Sequence, residues 1–183
     1  MILKNIFMIC LLVTIHTTNS FSSAPDDHLA IGEPAPDFSL PYATINEIVW
    51  DGITLSDIIG ESNIVLAFYP ANWSSGCTQQ LCNFRDNFSL LQELDATILA
   101  ISGDYVFSHH EWAKQQNFPF KLLSDHHHEV GKLYDSYMAE RGFNRRTVFV
   151  IDQKGRIAYK NMNYSVSDES DFYALKEALR QLL

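Results

Sequence analysis

The apolar pattern of this chain predicts an α/β fold, a central mixed β-sheet flanked by helices. Three short apolar runs, residues 64–69 (IVLAFY), 96–102 (ATILAIS) and 147–152 (TVFVID), have the length and composition of strands buried on both faces. Stretches with apolar residues at helical spacing alternate with them, and 46% hydrophobic against 19% charged side chains over 183 residues suits one core. With 13 Lys and Arg against 22 Asp and Glu, a net charge of -9, the chain has no electrostatic reason to approach nucleic acid or anionic lipid. Three cysteines are too few for a disulfide scaffold.

Residues 1–20 read as a signal peptide: a polar start with Lys4, the apolar run 6–15, then polar residues and a plausible cut near Ser20. The run is about half the roughly twenty residues that span a bilayer, and it lacks the polar face of a buried amphipathic helix. The expected product is therefore exported, periplasmic or secreted, with no membrane attachment after cleavage. Cys10 is lost with the signal, leaving Cys77 and Cys82 in an oxidising compartment.

A polar leader, 21–30, precedes the domain proper, 31–183. Pro34 and Pro36 make 31–40 an extended arm. Pro70 ends the first apolar strand. From Cys77, the apolar positions Leu81, Phe84, Phe88 and Leu91 recur at four, three, four and three residues, one stripe of a single helix, with Ser74 and Ser75 as candidate N-caps. The second strand follows at 96–102, a helix at 108–116, and the third strand at 147–152. A Lys154-Gly155 turn then leads to a strand at 156–160 and a closing helix at 171–182.

Five residues along an intact helix separate the Cα atoms of Cys77 and Cys82 by roughly 8.6 Å, beyond the ~7 Å limit for a disulfide. Bonding them requires local unwinding, which argues against an ordinary dithiol oxidoreductase. From the residues alone Cys77 reads equally as a small core residue, since it lies on the apolar stripe, and as a reactive thiolate, since it occupies a helix N-terminus.

Residues 68–86 (FYPANWSSGCTQQLCNFRD) resemble the active-site segment of peroxiredoxins, the alkyl hydroperoxide reductase/thiol-specific antioxidant family. Pro70, Ser74 and Cys77 meet its P-x-x-x-T/S-x-x-C pattern. A second cysteine at position 82 resembles the bacterioferritin-comigratory, or peroxiredoxin Q, branch. GEPAPDFSL, SHHEW, LLSD and RTVFVID extend the resemblance through most of the domain. It implies a thioredoxin-like fold, a peroxidatic Cys77, a resolving Cys82 and an active-site arginine at Arg146 rather than Arg145. Gln80 stands where relatives carry Glu or Gln. The implied partners are a hydroperoxide substrate and a thioredoxin-like or other dithiol reductant, with no metal or organic cofactor.

The chemistry suits those residue types. Peroxide reduction needs an ionised sulfur and donors for the charge that develops on the leaving oxygen. The helix N-terminus and Arg146 would supply positive potential, Ser74 a hydroxyl, and Pro70 a wall without a competing N–H. Two other functions fit parts of the pattern: an exported thiol-disulfide oxidoreductase, disfavoured by the cysteine spacing, and a redoxin-type copper-binding protein using both thiolates and a His.

The remaining conspicuous residues read as bland. His126, His127 and His128 are expected in a solvated loop, because three consecutive imidazoles cannot share one ion on a regular element. His109 and His110 are expected to support the Trp112 helix, Trp73 to be wall or core, and the Arg85-Asp86 pair to do little. Asn72 begins an N-x-S triplet inside the active loop, where a glycan would block access, so the triplet carries no weight.

Overall fold

Six consecutive residues with no solvent-facing side, Asn63–Phe68, run through the middle of a seven-stranded sheet. In the computed structural model, which describes residues 28–183, the chain begins with the hairpin β1 (Ser39–Ala43) and β2 (Ile48–Thr54), then the short α1 (Leu55–Ile58) and β3 (Asn63–Phe68). Next come α2 (Ser75–Asp86), α3 (Phe88–Glu93), β4 (Ala96–Ser102), α4 (Val106–Gln116), β5 (Lys121–Ser124) and α5 (Glu129–Leu133). The two-residue strands β6 (Tyr137–Met138) and β7 (Phe143–Asn144), then β8 (Thr147–Ile151), β9 (Ile157–Asn161) and α6 (Glu169–Arg180) complete it.

The sheet order is β2-β1-β5-β4-β3-β8-β9, parallel at β3/β4 and β4/β5 and antiparallel elsewhere, so the expected mixed sheet is present. Strand alternation divides the core in two. Val65, Ala67, Ile98, Ala100, Val148 and Val150 face one side, against Cys77, Leu81 and Phe84 of α2, Trp112 of α4 and Leu175 and Leu179 of α6. Ile64, Leu66, Phe68, Leu99, Ile101 and Phe149 face the other, against Phe38, Leu55 and Tyr134. Both cores are apolar and aromatic-rich, so truncating a residue such as Leu81 or Phe84 to Ala would cost about 2–5 kcal/mol.

Several expectations require correction. The single helix expected from Cys77 through Leu91 is two: Asn87 leaves helical geometry (φ -107°, ψ 18°), and its side-chain amide donates to the Asn83 carbonyl. Apolar spacing alone carries no sign of that break, because Phe88 and Leu91 keep packing on the same core. The β1–β2 hairpin and β5 do not show in the apolar pattern. β2 is half exposed and β5 is only four residues, so neither forms an apolar run. The 31–40 arm is pinned to the 155–157 turn, with Gly32 N–H donating to the Ile157 carbonyl (2.8 Å) and Ala35 N–H to that of Gly155 (2.8 Å). Leu29, just ahead of it, is already buried. The expected signal peptide, with Cys10, and the leader up to residue 27 lie outside the described residues. Among those described, no helix is long and apolar enough to cross a membrane.

Candidate active site

β3 ends at Phe68, and the loop 69–74 turns its chain into α2 on the side of the sheet where Cys77 is fully buried. Polar groups fix that loop from beneath. Asn72 N–H donates to Asp104 Oδ2 (2.8 Å), the Asn72 amide donates to Ser108 Oγ (2.9 Å) and His109 Nδ1 (3.1 Å), and the Tyr69 hydroxyl donates to Asn72 Oδ1 (2.8 Å). His109 Nε2 in turn meets the Leu123 carbonyl at 3.1 Å. One tautomer suits the two shorter contacts: Nε2 carries the proton toward the Leu123 carbonyl and Nδ1 accepts from the Asn72 amide. Burial holds His109 down, to about 4, despite the opposing pull of Asp104. Burial likewise pushes the Tyr69 phenol well up, so it stays a neutral donor.

Trp73 completes the turn at φ 64°, a left-handed conformation that non-glycine residues rarely adopt. The surroundings hold it there: its ring packs against Trp112 (centroids 6.1 Å) and its indole N–H donates to Ser108 Oγ (3.1 Å). Trp73 is nonetheless half exposed, so it lies over Trp112 at the surface rather than filling the core. Asn72 is enclosed by its own network.

Cys77 is the third residue of α2, in the turn whose backbone N–H groups have no intrahelical acceptor. Arg146, immediately before β8, reaches it from the adjoining strand, Nη2–H donating to Cys77 Sγ at 3.4 Å. Positive potential therefore converges on the sulfur from two sources, one helical and one cationic. Pro70, Ser74 and Arg146 line one cleft of about 460 Å³ with Met138, Phe143 and Tyr164, which brings the predicted wall, hydroxyl and cation together at one mouth. Of the two adjacent arginines, Arg146 is the one that reaches the sulfur. Arg145 also borders the cleft, but no bond links it to the sulfur.

Ser74 occupies the N-cap position without capping through its side chain; its hydroxyl donates to the Ala71 carbonyl at 3.3 Å. Gly76 also shapes the site, although the motif alone does not single it out. A Cβ there would lie 2.6 Å from Arg146 Nη2, so only glycine leaves room for the guanidinium beside the sulfur. A glycine in the first turn of a helix, adjacent to a cysteine and with no capping role, is the signal the sequence offers.

Cys82 lies in another setting. It is half-buried, its thiol donates to Gln116 Oε1 (3.6 Å), and Arg85 ties the same turn to the end of α4 by donating to the Gln116 carbonyl (2.7 Å). The Arg85-Asp86 pair forms at 2.8 Å, yet Arg85 also does this tethering, more than the sequence suggests. Both cysteines are free thiols and α2 is unbroken between them.

The histidine triplet diverges. His126 and His127 are exposed, whereas His128 is half-buried, adopts φ 56° at the start of α5 and stacks on Tyr137 (4.5 Å), correcting the expectation of a wholly solvated loop. Among the described residues, no group of three or more His, Cys, Asp or Glu is placed to hold a metal ion.

Residues 31–160 match the AhpC/TSA family. The chain is 32% identical over 160 residues to peroxiredoxin Bcp of Bacillus subtilis, covering 84% of this chain and 95% of that one. It is 36% identical over 123 residues to the chloroplastic peroxiredoxin Q of Triticum aestivum, covering 65% and 55%. The crystal structure of peroxidoxin BcpB from Mycobacterium tuberculosis superposes with a TM-score of 0.74 at 27% identity, covering 85% of this chain and 99% of that one.

Proposed function

The chain belongs to the AhpC/TSA family and is a thiol-dependent peroxidase of the peroxiredoxin type, and from that premise we propose that Cys77 is the sulfur that reduces the hydroperoxide. One observation carries the assignment: a guanidinium donates to a sulfur that is buried in the first turn of a helix, beside a cleft that the same arginine lines. The thiolate attacks one peroxide oxygen, the O–O bond breaks, and the second oxygen leaves with the electron pair as alkoxide or hydroxide and takes up a proton. Arg146 and the N–H groups of the first turn hold the charge that develops there. The product on the enzyme is a sulfenic acid.

Cys82 is the resolving thiol in this reading. It attacks the sulfenic sulfur, water leaves, a Cys77–Cys82 disulfide forms, and an external dithiol of the thioredoxin type reduces it. The spacing on an intact helix, roughly 8.6 Å between Cα atoms, requires α2 to unwind first. The signal-like residues 1–20 support export to the periplasm or beyond, with no membrane attachment once the signal is removed.

Mass spectrometry of the purified protein after one equivalent of peroxide tests these points together. The expected product has a new N-terminus near residue 21 and has lost two hydrogens. Cys82→Ser is expected to gain one oxygen on Cys77 instead. Oxidation that persists unchanged in Cys77→Ser overturns the assignment.

A further inference from the structure

α2 is hydrogen-bonded unequally on its two flanks. On one, Cys82 and Arg85 are tied to Gln116 at the end of α4. On the other, Gln80, midway between the cysteines, is 1% exposed, and neither its side-chain nitrogen nor its oxygen has a hydrogen-bond partner or reaches solvent. That flank faces the start of α6, where Tyr164 and Phe172 pack on Phe84, and it borders a cavity of about 510 Å³ lined by Gln80, Asn83, Asn87, Val166 and Phe172, with no polar group placed to bond the amide. A buried carboxamide with both polar atoms unpaired weighs against the state that buries it and is relieved by the state that exposes it.

We propose that Gln80 is a positioning residue for disulfide formation: its unpaired amide biases α2 toward the unwound conformation in which Cys82 reaches Cys77. The inference rests on the reading of Cys82 as the resolving thiol. Oxidation of Cys77 needs the helix wound, with Arg146 on the sulfur, whereas disulfide formation needs it open. A residue that lowers the cost of opening without touching the sulfur speeds the second step alone. It also shortens the life of the sulfenic acid and so limits further oxidation to sulfinic acid.

Gln80→Met keeps the length of the side chain and removes both polar groups, and Gln80→Leu is the second variant should methionine pack poorly. In the reduced protein, amide hydrogen exchange across 77–82 is expected to slow about tenfold, because the opening equilibrium itself shifts. In rapid-quench single turnovers, oxidation of Cys77 is expected at the wild-type rate and disulfide formation about tenfold slower, with sulfinic acid accumulating at correspondingly lower peroxide. Gln80→Glu, which buries a group that costs more to desolvate, is expected to open at least as readily as wild type. Unchanged exchange and unchanged disulfide rate in the apolar variants overturn the proposal, as does a parallel fall in both chemical steps. A wild-type protein that forms no Cys77–Cys82 disulfide, while exchange still responds to Gln80, overturns the assignment of Cys82 and leaves the role of Gln80 in helix opening standing.

Discussion

The two cysteines share one helix and are five residues apart, yet their surroundings have little in common. Cys77 is sealed from solvent, in contact with a guanidinium and in a turn with unpaired N–H groups. Cys82 is half-buried, its thiol donating to the Gln116 side-chain oxygen, with the Arg85 guanidinium close by but bonded to the Gln116 carbonyl and to Asp86. The same functional group thus stands once in the first turn with a guanidinium bonded to it, and once in the second half of the helix bonded to an amide oxygen. Position along a helix therefore gives two identical residues different surroundings, through backbone geometry and one neighbouring strand rather than through the residue itself.

Exchanging either sulfur for oxygen is the severest way to break this contrast. Cys77→Ser is expected to abolish turnover with a dithiol reductant, and Cys82→Ser to allow one stoichiometric oxidation and then stall. Equal residual activity in the two variants would mean that the environments do not differ in consequence. Arg146→Ala removes the cation and leaves both thiols. Stopped-flow peroxide consumption is expected to slow about 10²- to 10³-fold, with circular dichroism unchanged. Gly76→Ala is gentler, because the guanidinium keeps its charge but must move away from a Cβ that would lie 2.6 Å from Nη2. The first step is expected to slow about tenfold, while alkylation of Cys82 proceeds at the wild-type rate.

Much of this contrast is legible in the order of residues alone. The buried strands declare themselves as apolar runs because a strand covered on both faces has no polar positions to interrupt it. The P-x-x-x-S-x-x-C string locates Pro70, Ser74 and Cys77, and the likeness of the 146–152 segment to relatives selects Arg146. The supports are not legible. Asn72, Ser108 and His109 are scattered in sequence, and only the β3-to-α2 loop and the start of α4 bring them together. Gly76 shows in sequence only as a glycine placed oddly in a first helical turn, and its reason appears when Arg146 is seen against it. The break at Asn87 is silent because the apolar stripe continues across it, and the edge hairpin is silent because half of β2 faces water.

The smallest expected effect comes from acid, and it falls on the Cys77 end alone. His109 is neutral in the folded protein: burial lowers it from 6.5 to about 4, and its Nδ1 must accept from the Asn72 amide that helps hold the loop ahead of Cys77. The unfolded chain takes up a proton near 6.5 while the folded one resists until about 4, so between these values the unfolded state binds more protons and stability drops as pH drops. This contribution is complete above about pH 6.5 and is lost progressively toward about pH 4. A shift of that size amounts to about 2 kcal/mol lost between about pH 7.5 and 5, or roughly 4–8 °C in Tm for a domain of this length. His109→Gln is expected to be less stable at about pH 7.5 but to lose that slope, which thermal melts at the two pH values would show. No titrating imidazole is bonded to the Gln116 contact at Cys82, so amide exchange at about pH 5 is expected to rise in the 69–76 segment and to stay level at 82–86. Equal loosening at both ends would indicate that acid acts through the whole core and not through the loop beneath Cys77.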